Sequence, residues 1–157
     1  MVSHQLARDA RVDGTVSEPP TDSLIRAAAL GNDEMASTFA WMRSVMLFAH
    51  GAGDEMGTLE PWLDACVRLD PRWPEPRAYG ALMMASIGEV DAHQRMLEKA
   101  SRDFPNDPWF PSALGMSRLL DSGDRQDAAR WLAFAAELPG ASPMVRAMAE
   151  RLDENPP

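Results

Sequence analysis

One cysteine, Cys66, in 157 residues leaves no partner for an intramolecular disulfide, and a reducing, cytoplasmic setting is the default expectation. Long apolar runs are also missing. The longest, such as VMLFA at 45 to 49, fall far short of the roughly 18 to 20 residues that span a bilayer. The first twenty residues, MVSHQLARDARVDGTVSEPP, lack the apolar centre of a secretory signal, so neither insertion nor export is expected. Clusters of positive charge are absent. The 15 Lys and Arg are scattered among 24 Asp and Glu for a net charge of −9, which excludes nucleic acid and anionic membrane as partners because nothing would neutralise a row of phosphates. β-branched residues are few and no long stretch alternates apolar with polar, so strands are not expected.

What remains is helical. In EVDAHQRMLEKASRDFP the residues Val90, His93, Leu97, Ala100 and Phe104 fall along one stripe of a helix. DAARWLAFAAELP gives Ala128, Trp131 with Leu132, Ala135 and Leu138, and LEPWLDACVRLDP gives Leu59, Leu63 with Trp62, Cys66 and Leu69. Pro71, Pro105 and Pro139 follow these segments at intervals of 34. At an offset of 35, Pro76, Ala78, Gly80, Gly88, Arg95, Leu97 and Ala100 recur as Pro111, Ala113, Gly115, Gly123, Arg130, Leu132 and Ala135. Repetition at this period marks stacked helical pairs. Gly88 and Gly123 sit where a helix end wants positive φ, Asp124 and Ser142 sit at helix starts as N-caps, and the prolines stop the second helix of each pair. The segment EKASRDFPNDPWFPSALG is therefore a seam between units: Pro105 ends one, Asp107 and Pro108 open the next, and Trp109 and Phe110 pack between neighbours.

These residues resemble the tetratricopeptide repeat (TPR) family. The last unit supplies Phe110, Leu114 with Gly115, Gly123, Ala128, Leu132, Ala135 and Pro139; the middle unit supplies Tyr79 with Gly80, Gly88, Leu97, Ala100 and Pro105; the first supplies Leu63, Cys66 and Pro71. The resemblance covers about residues 37 to 141. It implies an all-α, right-handed α-solenoid of about three TPR-like helix pairs with flanking helices, used as a scaffold for another protein or peptide. The units expected are 37–73, 74–107 and 108–141, within a helical domain over 21–153. A capping helix at 142–153 presents Met144, Val145, Met148 and Leu152, and TDSLIRAAALGN forms a short helix closed by Gly31. Residues 1–20 and 154–157 are expected to be tails, the first of them disordered.

Chemistry is sparse. HGAGDEMGT at 50 to 58 lacks the Lys of a phosphate loop, and Asp54 with Glu55 would repel an anion; it reads as a turn between helices. Cys66 aligns with Ala100 and Ala135, so it reads as a small buried residue instead of a nucleophile. His4, His50 and His93 have no carboxylate or Cys at ligand spacing, and His93, standing where the repeat has a small residue, reads as partly buried packing. Neither a catalytic constellation, a metal site nor a cofactor is expected.

In the family, the first helices of successive pairs line a concave face. The alignment on Gly80 and Gly115 places Arg77, Ala81, Met84, Ser112, Met116 and Leu119 there as the expected partner-binding residues. Eleven methionines are many for this length, and Met83, Met84 and Met116 suit two roles: filling gaps in a core, the simpler reading, or lining an adaptable groove for an apolar helix. The basic clamp by which some relatives hold a terminal carboxylate is not matched beyond Arg77 and Arg118. Two alternatives stand beside the adaptor reading. A protein that self-associates through an exposed apolar edge would show it in its mass, and a helical enzyme would need two convergent titratable groups, which the spacing does not offer.

Overall fold

The computed structural model describes residues 19–49 and 56–154. Among them are eight α-helices and no strand, in accord with the all-α expectation. His4, His50, the turn at 51–55 and nearly all of both expected tails lie outside the described residues. The chain gathers into two compact units, Met1–Leu69 and Asp70–Pro157, and the division falls four residues before the expected end of the first repeat at 73.

The N-terminal unit holds α1 (Asp22–Ala28), α2 (Asp33–Ala49) and α3 (Met56–Leu69). Gly31, at φ +80°, turns the chain between α1 and α2 and donates its N–H back to the Arg26 carbonyl over 2.8 Å. An L side chain at that φ would be strained, which is why glycine closes this short helix. Asn32 then caps α2, its Oδ1 accepting from the Met35 N–H at 2.9 Å. The core joins Ile25 and Ala29 to Ala36, Ala40 and Leu47 of α2 and to Trp62, Ala65, Cys66 and Leu69 of α3, with Trp41 packed against it. Ser37 is buried in this core and donates to the Cys66 carbonyl at 3.0 Å, so its hydroxyl does not go unsatisfied. α3 starts at Met56, inside the segment expected to be a turn, and carries Pro61 within it.

The C-terminal unit holds α4 (Glu75–Ser86), α5 (Val90–Asp103), α6 (Trp109–Leu120), α7 (Arg125–Glu137) and α8 (Pro143–Glu154), each packed on the next. Connections of three to five residues fold successive helices back on one another. Gly123, at φ +68°, ends the α6 turn, and the Asp124 carboxylate then accepts from the Asp127 N–H at 2.9 Å as the N-cap of α7. Ser142 does the same for α8, taking the Val145 N–H at 3.2 Å. Both caps are the ones the sequence predicts.

Helix boundaries repeat as the residues do. α3, α5 and α7 end at Leu69, Asp103 and Glu137, each 34 residues after the last. At the shared small-residue position Cys66, Ala100 and Ala135 are all fully buried, and so are Leu63, Leu97 and Leu132 three residues before them. Between α6 and α7 the approach is closer still. A side chain on Gly115 would place its Cβ 2.7 Å from Leu132 Cγ and 3.2 Å from the Ala128 carbonyl oxygen, so the Leu-Gly pair at 114 and 115 is a packing requirement of that crossing.

Buried polar groups in this unit find partners across helices. His93 donates from Nδ1 to the Ala81 carbonyl at 2.7 Å, tying α5 to α4. Gln94 donates to Ser117 Oγ at 3.1 Å and Ser122 Oγ at 2.7 Å, tying α5 to the end of α6.

Candidate functional site

Groove walls come from α6 and α8. At the α6 start, Asp107 Oδ1 accepts from the Trp109 N–H at 2.9 Å, and Pro108 enters at φ −69°, already helical. Phe110 points inward, fully buried, and stacks on Phe104 with ring centroids 5.6 Å apart. Trp109 stands edge-on to Phe110 at 5.1 Å and 88°, which holds its indole in place while the ring stays exposed. Of the two aromatics expected to pack at this seam, Phe110 is fully buried and Trp109 stays partly exposed.

From that indole a cleft of about 320 Å³ runs along Ser112, Ala113 and Met116 of α6 to Met144, Val145 and Met148 of α8, with Gly140 and Ser142 at one end. Below it Met116, Leu119 and Met148 pack on Leu132, Ala135, Val145 and Leu152. Met144 is 65% exposed. The polar groups at its edge are already engaged: Ser112 Oγ donates to the Pro108 carbonyl at 2.5 Å, Ser142 Oγ accepts from Val145, and Asp107 accepts from Trp109. The cleft therefore offers apolar contact and little directional hydrogen bonding.

The six residues expected at a binding face divide evenly. Ser112 and Met116 line the cleft, and Leu119 packs with Met116 on the core of Leu132, Ala135, Val145 and Leu152. Arg77, Ala81 and Met84, all on α4, are buried and present no surface to a partner. Arg77 is the clearest correction. Its guanidinium, 3% exposed, meets the Asp103 carboxylate of α5 through Nε at 2.9 Å and Nη2 at 2.8 Å, so it joins two helices from inside the unit. Arg118, the other candidate for a basic clamp, donates to Glu98 Oε1 at 2.6 Å, and its Nε lies 3.1 Å from Asp127 Oδ2 without hydrogen-bond geometry. Asp127 also accepts from Arg130 at 2.6 Å. That network links α5, α6 and α7, which commits Arg118 to structure.

Trp109, Met144 and Met148 were not among the expected site residues. Their signal in the sequence is the spacing of two methionines four apart on the last helix, which puts both on one face, but nothing local says that this face meets α6. A second and larger depression, about 860 Å³, lies between α7 and α8. Its floor is Ala129, Ala133, Ala136 and Ala149, and its margins mix Arg130 and Arg146 with Glu137, Glu150 and Asp153. Volume favours that depression, but the α6–α8 cleft carries the large, deformable side chains that bind apolar groups.

Among the described residues no three His, Cys, Asp or Glu side chains are grouped as metal ligands would be, and no helix is long and apolar enough to cross a membrane. Cys66 is buried in the N-terminal core. No family model matches the chain, and no curated protein matches it.

Proposed function

We propose that this chain is a TPR-like adaptor, with its helical pairs continuing as a right-handed solenoid, and that the α6–α8 cleft holds an apolar segment of another protein. The observation that carries this reading is the cleft lined by Trp109, Met116, Met144 and Met148, with Asp107, Ser112 and Ser142 at its edge each hydrogen-bonded to nearby backbone. Flexible thioethers around a fixed indole suit the side chains of an amphipathic helix. Each Leu- or Phe-sized anchor seated there would contribute about 1.5–3 kcal/mol. Polar or charged ligands would leave their own groups unpaired against this lining.

The repeat supports the same reading, since the periodic residues Leu97, Ala100, Gly115, Leu132 and Ala135 are consumed by packing and leave the intervening faces free to vary. The test is a selection from displayed peptides against the full chain, followed by binding to variants. Recovered peptides should carry apolar residues at helical spacing and lose affinity at least tenfold against Met144→Asp, while Ala133→Glu in the α7–α8 depression leaves binding intact. Equal binding to wild type and Met144→Asp would sink the assignment.

A further inference from the structure

α2 exposes an apolar stripe on the side away from its core. Ala36, Ser37, Ala40, Ser44 and Leu47 are buried, whereas Met35, Phe39, Met42 and Met46 are 55%, 57%, 57% and 48% exposed. Their spacing of four, three and four residues is the spacing of a helix-pairing seam over two heptad layers. It is also symmetric about the midpoint between Ala40 and Trp41: reversing the helix exchanges Met35 with Met46 and Phe39 with Met42. The stripe is thus complementary to a reversed copy of itself.

We propose that two copies of this chain pair antiparallel along α2, with Phe39 of each packed on Met42 of the other and Met35 on Met46. Area and charge both support a second copy as the occupant. The stripe with Val45 exposes roughly 500 Å² per chain, so two copies bury up to about 1,000 Å², the lower bound for a specific interface and the size of a weak, concentration-dependent one. Asp33 and Glu34 open the helix and Arg43 lies on its flank. A parallel pair would bring four carboxylates together and set Arg43 against Arg43. The antiparallel pair separates the acidic ends by most of a helix of about 25 Å, beyond a Debye length of about 8 Å, and sets each Arg43 beside Thr38 of the other copy. A membrane surface is a poorer fit, because the acidic end of the stripe would repel anionic headgroups.

Sedimentation of the full chain between about 1 and 100 µM, a range suited to interfaces of this size, tests the pairing. Wild type should approach twice the monomer mass of 17.3 kDa at the upper end. Phe39→Glu should remain monomeric throughout with unchanged helicity, since the side chain it replaces is on the surface. Phe39→Glu with Met42→Lys should restore the dimer, because across an antiparallel two-fold the introduced carboxylate meets the introduced ammonium. Three results would overturn the proposal: a wild type monomeric at 100 µM, a dimer indifferent to Phe39→Glu, or a double variant that stays monomeric.

Discussion

α3 and α7, one from each unit, do the same job with a leucine and a small residue three apart, whereas the helices that precede them, α2 and α6, do not share a pattern. In α3, Leu63 and Cys66 are fully buried, and in α7 Leu132 and Ala135 are. Their partners reach them by different means. α6 brings its backbone close by omitting a side chain at Gly115; α2 uses Ala36 and Ala40 with a hydrogen bond from Ser37 to the Cys66 carbonyl. Their outer faces differ too. That of α6 lines a cleft shared with α8, and that of α2 carries four large apolar side chains that are each about half exposed. The periodic residues of the second helices are spent on packing, whereas the apolar outer faces of α2 and α6 are not.

The sharpest way to break that equivalence is to remove its centre. Leu132→Ala deletes a fully buried side chain and should cost about 3 kcal/mol, and Leu63→Ala in the N-terminal unit should cost a similar amount. Urea unfolding of both variants measures this. A cost below about 1 kcal/mol at either site would mean that the leucine there can be lost without leaving a cavity, and the likeness of the two helices would end at the sequence.

Next in size is Gly115→Ala. Leu132 can give a little, but the Ala128 carbonyl belongs to the α7 backbone and cannot, so the added methyl should cost about 1–3 kcal/mol. Combined with Leu132→Ala, which vacates the space it needs, the two losses should sum to less than their separate values. Strict additivity would show that the α6–α7 approach is looser than 2.7 Å implies. In the N-terminal unit Ala40 keeps its methyl buried in the core, and Ala40→Gly should cost about 1–2 kcal/mol through helix propensity and the lost methyl.

Much of this was readable from residues alone, because it depends on local chemistry. Gly123 takes positive φ and Asp124 and Ser142 cap helices since those requirements are met within a few residues of chain. Cys66, Ala100 and Ala135 could be matched because a repeat compares each position with itself. Arg77 could not be placed, since its burial depends on Asp103, 26 residues away. The α2 stripe was hidden for another reason. With Ala36, Ala40 and Leu47 inward and Met35, Phe39, Met42 and Met46 outward, the helix is apolar nearly all round, and periodicity does not say which side faces water. Met144 and Met148 acquire a role only from the helix they lie beside.

The two units also differ in how they use ion pairs, and the more exposed of these gives the smallest effect expected. Asp103→Ala in the C-terminal unit leaves the Arg77 guanidinium, 3% exposed, without its carboxylate and should cost about 1–3 kcal/mol. Asp22 of α1 accepts two hydrogen bonds from Arg68 of α3, both 2.9 Å, but the Arg68 side chain is half exposed, and Asp22→Asn should cost less than about 1 kcal/mol. The signature of that weaker pair is its pH dependence. Hydrogen bonding from Arg68 holds the Asp22 carboxyl below the ordinary aspartate range, with partial burial opposing it. A depressed carboxylate stabilises the fold at pH above its unfolded value and loses that contribution as pH falls through the folded one. Urea midpoints of wild type and Asp22→Asn should therefore differ slightly at pH 7 and converge below about pH 4. A gap that persists or widens on acidification would mean that Arg68 ties α3 to α1 through its aliphatic stem, with the charge of Asp22 contributing nothing.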